Sequence, residues 1–261
     1  MRLLKALVAG LLLTPLVVAH ADTTPLVEDP TAYVHPLIGS GGDGFTVPGA
    51  ATPFGLTMVS PDTINQLAYT GYKYEDAAIR GFSLLHVNGA GVHMAGELPF
   101  LPLVAPPLDL TTPELYAVPF THVTERVEAG AYGITLLNGV HVELAATPHG
   151  GVESFSPPPL VPVTVLADVG RNNEGTHDSA VRVISPNRLE GTVIIPARGG
   201  TYQAHFSARF SVPFASTSTF VGKATSAATS AKGKGAGALL TFPSGQAVTM
   251  VAGVSLVDVA G

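Results

Sequence analysis

The sequence predicts an all-β protein, built as a large antiparallel β-sandwich. It contains 29 Gly and 22 Pro among 261 residues, and both residue types are disfavoured inside helices. Beyond the first residues, no stretch of useful length repeats apolar residues at helical spacing. Short runs rich in β-branched and aromatic residues recur instead between turn signals, which is typical of sandwiches.

The strand candidates follow one another along the whole chain. In order they are residues 54–60, 81–87, 98–104, 132–137, 140–145, 161–169, 180–184, 191–195, 204–214, 238–242 and 247–257. Asn138-Gly139 separates two of them and predicts a tight hairpin in which both turn residues take a positive φ. The small, polar stretch Gly222 to Gly237 has no periodicity and is predicted to be a solvated hairpin loop.

The first residues are typical of an export signal. Arg2 and Lys5 precede an apolar run, and Ala19-His20-Ala21 offers the small residues that a signal peptidase reads. The run is shorter than the roughly 20 apolar residues of a membrane span. We therefore expect cleavage after Ala21, a periplasmic or secreted protein, and one domain over residues 22–261 with no membrane segment.

Composition limits the other classes of function. The chain has no Cys, which excludes a disulfide framework and thiolate metal sites. Its formal net charge is −6, without a basic cluster in the sequence, so nucleic acid is not an expected partner. A neutral or polar ligand fits this composition better.

Several motifs resemble, in order, the amino-terminal domain of glycoside hydrolase family 92 α-mannosidases. The distinctive ones are VHPLIGSGGDGFTVPGAATPFG from Val34 to Gly55, and the block from Gly81-Phe82-Ser83 to Gly91. The further similar blocks are Ser60-Pro61-Asp62-Thr63, Gly71-Tyr72-Lys73-Tyr74, Leu189-Glu190-Gly191, residues 208–214 and residues 251–256. The resemblance spans essentially the whole chain after the signal segment.

This resemblance implies a galactose-mutarotase-like sandwich that packs against a helical (α/α) barrel, with the active site between them. The implied reaction is calcium-dependent, inverting hydrolysis of α-linked mannose. Inversion requires two carboxyl groups roughly 6.5–9.5 Å apart. The family takes both from the helical domain, whose motifs have no counterpart here. We therefore expect calcium ligands mainly in that domain, no cofactor or metal held by this chain alone, and no activity without a helical partner in cis or trans.

The resemblance also implies candidate residues for contacting mannose-containing glycans. The substrate-binding candidates are Asp43, Asp62, Tyr69, Tyr72, His86 and Asn88, and the cleft-loop candidates are Gly41, Gly42, Gly44 and Gly89. Each has a structural alternative. The glycines could form a tight turn, His86 could be buried and bonded to backbone, Asp62 could cap a turn, and the tyrosines could be ordinary strand residues.

Two positions depart from the family pattern. Many members carry Trp just before the Gly-Tyr pair, whereas this chain has no Trp and shows Leu67-Ala68-Tyr69-Thr70. Many members also have His where Phe45 stands. The sugar-contacting surface is therefore expected to differ from the common one.

Two other classes of function remain open. His86, His93 and Glu97 suggest a cupin-type metal enzyme, although their spacing departs from the usual pattern of two His one residue apart followed by Glu. A free-standing carbohydrate-binding or interaction module would need no helical partner. A half-enzyme should expose a large apolar patch, and a module should present a polar face with one aromatic platform.

Overall fold

The computed structural model describes residues 27–64, 69–91, 95–197 and 199–260. The predicted signal segment, residues 1–21, lies outside them. Within the described residues the chain forms twenty strands and three short 3-10 helices. In chain order the strands are β1 (Ala50–Ala51), β2 (Met58–Thr63), β3 (Ala78–Leu85), β4 (Glu97–Leu103), β5 (Val118–Pro119), β6 (Arg126–Glu128), β7 (Ala131–Thr135), β8 (His141–Thr147), β9 (Gly150–Ser156), β10 (Thr164–Ala167), β11 (Arg171–Asn172), β12 (Gly175–Thr176), β13 (Asp178–Ser185), β14 (Arg188–Ala197), β15 (Gly200–Phe210), β16 (Ser216–Val221), β17 (Ala224–Ser226), β18 (Ser230–Lys234), β19 (Ala236–Thr241) and β20 (Val248–Ser255). The 3-10 helices are Pro30–Tyr33, Pro113–Leu115 and His122–Thr124.

Two nine-stranded antiparallel sheets make up the domain. The first has the order β1-β2-β3-β4-β10-β19-β16-β17, with β5 paired to β3, and the second has the order β18-β13-β14-β15-β20-β9-β8-β7-β6. Strands β11 and β12 form a separate two-stranded ribbon. The predicted all-β antiparallel sandwich is confirmed. No helix in the part of the chain that the structure describes is long and apolar enough to cross a membrane.

The core lies between the two sheets and is rich in aromatic rings. Phe100 of β4 meets Phe206 of β15 edge to face, with ring centroids 5.6 Å apart. Phe210 of β15 and Phe242, next to β19, have centroids 5.3 Å apart. All four rings are at most 1% exposed. Burial of each such ring contributes roughly 1.5–3 kcal/mol, so these contacts help to hold the two sheets together.

The two sheets differ in how their outer faces are covered. Burial alternates along β13 and β20 of the second sheet, so its outer face meets solvent. Seven consecutive residues are buried in each of β3 and β4 of the first sheet. Loops therefore cover the outer face of the first sheet, and the polar residues that these two strands carry are buried as well.

Several predicted elements needed correction. The Asn138-Gly139 hairpin is confirmed, since β7 and β8 pair on either side of it. Of the two turn residues, Gly139 has a positive φ of +85° and Asn138 does not. The amide of Leu136 donates to the Val140 carbonyl. The loop therefore has three residues, with a bulge at Gly139, and the predicted positive φ at Asn138 is wrong.

The prediction of a solvated loop from Gly222 to Gly237 is also wrong. This stretch contains β17, which pairs with β16, and β18, which pairs with β13 at the edge of the second sheet. The sequence of this stretch has no hydrophobic alternation, and it forms strands because its backbone pairs with these neighbours. The strand predicted from Phe54 begins only at Met58, because Phe54 itself takes a φ of +58° in a turn.

Candidate functional site

Three loops converge beside β2 and β3 of the first sheet: residues 39–47, 69–72 and 86–91, here called the loop cluster. The carbonyl of Phe45 accepts hydrogen bonds from the Gly89 amide at 2.8 Å and from the Thr70 hydroxyl at 3.0 Å. The Val47 amide donates to Oδ1 of Asn88 at 3.1 Å. Motifs that are far apart in the sequence are therefore bonded directly to one another.

The glycine-rich loop owes its shape to close backbone approaches. A Cβ on Gly44 would lie 2.0 Å from the carbonyl oxygen of Gly39, so only glycine fits there. The Gly42 amide donates to Glu75 at 2.8 Å, and the Lys73 ammonium donates to the Gly42 carbonyl. The first loop is thus tied to Lys73 and Glu75, which directly follow the second loop.

Predicted residues Gly41 and Asp43 lie on the same loop. A Cβ on Gly41 would meet the Glu75 carboxylate at 2.8 Å, whereas the Asp43 side chain is exposed at the tip. Asp43 is therefore available to an external ligand, while Gly41 serves the close contact between loop and carboxylate.

An aromatic pair lies within the loop cluster. The rings of Phe45 and Tyr69 have centroids 5.4 Å apart and are inclined by 35°. A Cβ on Gly91 would come within 3.1 Å of the Phe45 ring, so the backbone of the third loop packs directly on that ring. Both aromatic residues are partly exposed. Such rings can contact the apolar face of a sugar.

A buried charged network lies beside the loop cluster. The Asp62 carboxylate is fully buried, with Oδ1 at 3.0 Å from Nε2 of His86 and 3.4 Å from Nη2 of Arg80. The Ser83 hydroxyl donates to Oδ2, and Arg80 also donates to the Asn173 side chain. The network crosses β2 and β3 and reaches the residue after β11.

The hydrogen bonds of His86 define its charge. Nδ1 lies 2.9 Å from the Met58 carbonyl and Nε2 lies 3.0 Å from the Asp62 carboxylate. Both partners are acceptors, so both ring nitrogens donate and the ring is an imidazolium. Burial opposes this charge, but the negative Asp62 and its hydrogen bond raise the pKa of His86. Burial likewise opposes ionisation of Asp62, but Arg80, His86 and Ser83 together lower its pKa.

Gly71 connects this network to the loop cluster. Its φ is +120°, and a Cβ there would lie 2.2 Å from Oδ1 of Asp62 and 3.0 Å from Nε2 of His86. Its carbonyl accepts from the Thr63 amide at 2.7 Å. The loop that carries Tyr69 is therefore seated directly on the Asp62 and His86 pair.

Glu97 is a second buried carboxyl close to this network. It is 1% exposed, and its Oε1 accepts from the Tyr202 hydroxyl at 3.1 Å and from Nδ2 of Asn172 at 3.5 Å. Burial raises the pKa of Glu97 to about 7, although these bonds and the charge of His86 act in the opposite direction. Its bond to Tyr202 joins the first sheet to the second.

The side chain of Tyr72, the last residue of the second loop, points away from Phe45 and joins a separate group of side chains around Glu125. Its hydroxyl donates to Oε1 of Glu125 at 2.9 Å, and that oxygen also accepts from Tyr132 at 2.7 Å. Nδ1 of His122 donates to the other oxygen at 2.6 Å. Tyr72 is 2% exposed, which fits its interpretation as a structural residue, and burial followed by the negative Glu125 raises its pKa.

The predicted side chains therefore fall into three groups, one of which is Tyr72 in the Glu125 cluster. Asn88, Gly89 and Tyr69 lie in the loop cluster around Phe45, with Asp43 at the tip of the first loop. Asp62 and His86 pair with each other in the interior, where the side chain of His86 is 0% exposed. Of the two interpretations of His86, the buried histidine is the one this position fits.

Sequence reasoning missed Arg80, Ser83 and Gly71 as parts of this network. One signal was present, because Arg80 interrupts the apolar run Ala-Ile-Arg-Gly-Phe-Ser-Leu-Leu of β3. A cation inside an otherwise apolar strand requires a buried partner. Nothing in the sequence identified that partner as Asp62.

The described residues contain no group of three or more His, Asp or Glu side chains that could hold a metal ion. His93, which the cupin-type alternative requires, lies outside the described residues.

These observations define an all-β domain of two nine-stranded sheets, with a loop cluster beside β2 and β3. The profile of the glycosyl hydrolase family 92 N-terminal domain matches residues 33–255. This chain therefore belongs to glycosyl hydrolase family 92, and residues 33–255 correspond to the N-terminal domain of that family. The predicted galactose-mutarotase-like fold agrees with this membership.

Solved structures of family 92 enzymes are similar to this chain. The α-mannosidase BT3965 from Bacteroides thetaiotaomicron, in complex with mannoimidazole, is 26% identical, with a TM-score of 0.76 over 88% of this chain and 33% of its own. The family 92 glycosyl hydrolase ccman5 is 26% identical, with a TM-score of 0.81 over 89% of this chain and 33% of its own. The inverting mannosidase BT2199 from Bacteroides thetaiotaomicron VPI-5482 is 25% identical, with a TM-score of 0.72 over 87% and 31%.

This chain thus spans about a third of the length of the structures it matches. A search of curated proteins found no match.

Proposed function

We propose that this chain forms the sugar-facing half of an exported α-mannosidase-like glycoside hydrolase. A helical domain, in the same polypeptide or in another, supplies the two catalytic carboxylates and the calcium site. The loop cluster contributes to recognition of α-linked mannose. The observation that carries the proposal is the convergence of three loops on Phe45 in a chain that belongs to family 92.

The residues proposed to contact the sugar are those that the loop cluster leaves accessible. Phe45 and Tyr69 offer ring faces, and Asp43 and Asn88 offer exposed polar groups on the same loop cluster. The buried Asp62 and His86 pair supports these loops from beneath through Gly71. In this arrangement Phe45 stands where many family members carry His, and Tyr69 belongs to the segment in which many carry Trp.

An activity measurement tests this proposal directly. The purified chain is incubated with an aryl α-mannoside and calcium, alone and after co-expression with the helical part of the mannosidase BT3965. We expect no mannose above a blank from the chain alone and clear release from the co-expressed pair. Turnover by the chain alone would contradict the proposal, as would an inactive co-expressed complex.

A matched pair of variants tests the role of the aromatic pair. Phe45→Ala removes a ring from the loop cluster, whereas Phe54→Ala removes a fully exposed ring from the turn before β2. In the co-expressed complex we expect Phe45→Ala to raise KM for the mannoside by about tenfold, from the loss of stacking. Phe54→Ala is expected to leave KM unchanged.

The Phe45 and Tyr69 pair also favours the second candidate, a free-standing carbohydrate-binding module. Isothermal titration of the chain alone with methyl α-mannoside distinguishes the two. Saturable binding that Phe45→Ala abolishes, together with no activity in any co-expressed complex, would assign the module function.

Export is part of the same proposal. Cleavage after Ala21 leaves a mature chain that begins at Asp22. Amino-terminal sequencing of the protein recovered from the periplasm or medium checks this, and an intact Met1 there would contradict it.

A further inference from the structure

The sequence contains two Asn-Gly pairs, Asn88-Gly89 and Asn138-Gly139. In such a pair the backbone nitrogen of the glycine can attack the side-chain amide of the asparagine. Glycine favours this attack, because it has no Cβ to hinder the approach and its backbone is the least restricted. An apolar residue precedes the asparagine in both pairs, so the surrounding structure decides which pair reacts.

The asparagine of the first pair is held at one end only. Asn88 is exposed in the third loop of the loop cluster, and its Oδ1 accepts from the Val47 amide at 3.1 Å. Among the described residues, no group accepts a hydrogen bond from its Nδ2. Because a single bond holds this side chain, its amide can turn toward the backbone of Gly89 once that bond opens.

The asparagine of the second pair is held at both ends. Nδ2 of Asn138 donates to the Pro102 carbonyl at 3.1 Å, and its Oδ1 accepts from the Val140 amide at 3.0 Å. Asn138 and Gly139 are both partly buried in the hairpin between β7 and β8. Attack on this side chain therefore requires two of its bonds to open.

The two glycines differ in the same direction. A Cβ on Gly89 would meet no atom within 4 Å, whereas a Cβ on Gly139 would lie 2.7 Å from Pro158. The backbone of the first pair thus has open space beside it. Both glycine amides donate a hydrogen bond, Gly89 to the Phe45 carbonyl at 2.8 Å and Gly139 to the Leu136 carbonyl at 2.9 Å. That bond must open in either pair and does not distinguish them.

We infer that Asn88 is a site of spontaneous deamidation, through a cyclic imide that it forms with Gly89. The Gly89 nitrogen loses its proton to base and bonds to Cγ of Asn88, while Nδ2 takes up a proton and leaves as ammonia. Water then opens the ring at either of its two carbonyl carbons. Opening at Cγ gives aspartate, and opening at the backbone carbonyl carbon gives isoaspartate. Nothing is oxidised or reduced, and water is the other reactant.

Isoaspartate at this position changes the attachment of the loop cluster. The backbone then runs through the former side chain, which lengthens the third loop by one carbon and leaves a free carboxylate. Both bonds that tie this loop to the first loop involve the reacting groups, since Gly89 donates to Phe45 and Asn88 accepts from Val47. The modification therefore loosens the hold on Phe45. It goes beyond the proposed function and does not depend on it.

Peptide mass mapping of the full chain, during storage in mildly alkaline buffer, measures both pairs in the same sample. We expect Asn88 to react about fivefold faster than Asn138 or more, which is the factor that one additional hydrogen bond contributes. Enzymatic methylation of the free carboxyl group identifies isoaspartate. Storage in water enriched in oxygen-18 should place one solvent oxygen in the product.

The same chain unfolded in urea is the matched control. Both pairs should then react at similar rates, because the contacts that separate them are lost. Three results would overturn the inference: reaction at Asn138 as fast as at Asn88 in the folded chain, an unmodified Asn88 in a folded chain whose unfolded form reacts, and aspartate without isoaspartate. The last result would indicate direct hydrolysis of the side chain without the imide.

Discussion

At the scale of single residues, the partners of each buried carboxyl group decide its charge. Asp62 is ionised because Arg80, His86 and Ser83 surround it. Glu153 of β9 is equally buried, but neither of its carboxyl oxygens has a hydrogen-bond partner within the described residues. Burial, and after it the negative charge of Asp62, raise the pKa of Glu153 far above its usual value. Glu153 is therefore a neutral carboxylic acid in the core.

Replacing Glu153 by Met should stabilise the protein. Met has a similar volume, and its neighbours in register, Leu144 and Met250, are apolar. Removal of an unsatisfied buried polar group is expected to raise the free energy of unfolding by about 1–3 kcal/mol. Urea titration at pH 7 measures this. A destabilised Glu153→Met would indicate that the carboxyl group has a partner in solution.

The pH dependence of the same variant gives an independent check. A carboxyl whose pKa is raised on folding contributes stability at pH below its unfolded value, about 4.3, and this contribution is lost as the pH rises through the folded value. The advantage of Glu153→Met over wild type should therefore be smallest at pH 4 and should grow as the pH rises. A constant difference across this range would contradict the raised pKa.

The charge of His86 is predicted separately. Its pKa is raised on folding, so its contribution to stability is fully present below the unfolded value of about 6.5 and is lost as the pH rises through the folded value. Asp62 has a lowered pKa, so its contribution is lost as the pH falls below about 3.9. Nitrogen NMR of the His86 ring should show both nitrogens protonated at pH 7. A neutral tautomer at that pH would contradict this assignment.

At the scale of elements, the sequence predicts strands well where side chains alternate and poorly where backbone pairing alone holds them. β8 and β20 alternate and were found close to their predicted limits. β17 and β18 consist of small and polar residues, and they are strands because they pair with β16 and β13. In β9 the alternation also indicated a buried carboxyl group that the sequence analysis did not single out, because Glu153 is two residues from Phe155 and therefore faces the core with it. The pairing of Asp62 with His86 and Arg80 depends on contacts between β2 and β3, which periodicity does not reveal.

The hairpin between β7 and β8 gives a prediction for an element. Gly139 has a φ of +85°, and a Cβ there would lie 2.7 Å from Pro158. Gly139→Ala should therefore lower the free energy of unfolding by about 1–2 kcal/mol, which is the cost of a left-handed conformation for an L-residue. Gly253→Ala is the matched control, because that Cβ would meet no atom within 4 Å. Equal effects of the two substitutions would contradict the turn geometry.

At the scale of the whole molecule, the two sheets share one core, so a substitution that destabilises one sheet should also destabilise the other. Phe206 of β15 is 1% exposed and packs edge to face on Phe100 of β4. Phe206→Ala is expected to cost about 3–5 kcal/mol and to lower amide protection against hydrogen exchange in β4 as much as in β15. Val251→Ala, on the exposed outer face, should change protection in neither strand. If Phe206→Ala lowered protection in the second sheet alone, the two sheets would be separate units of stability.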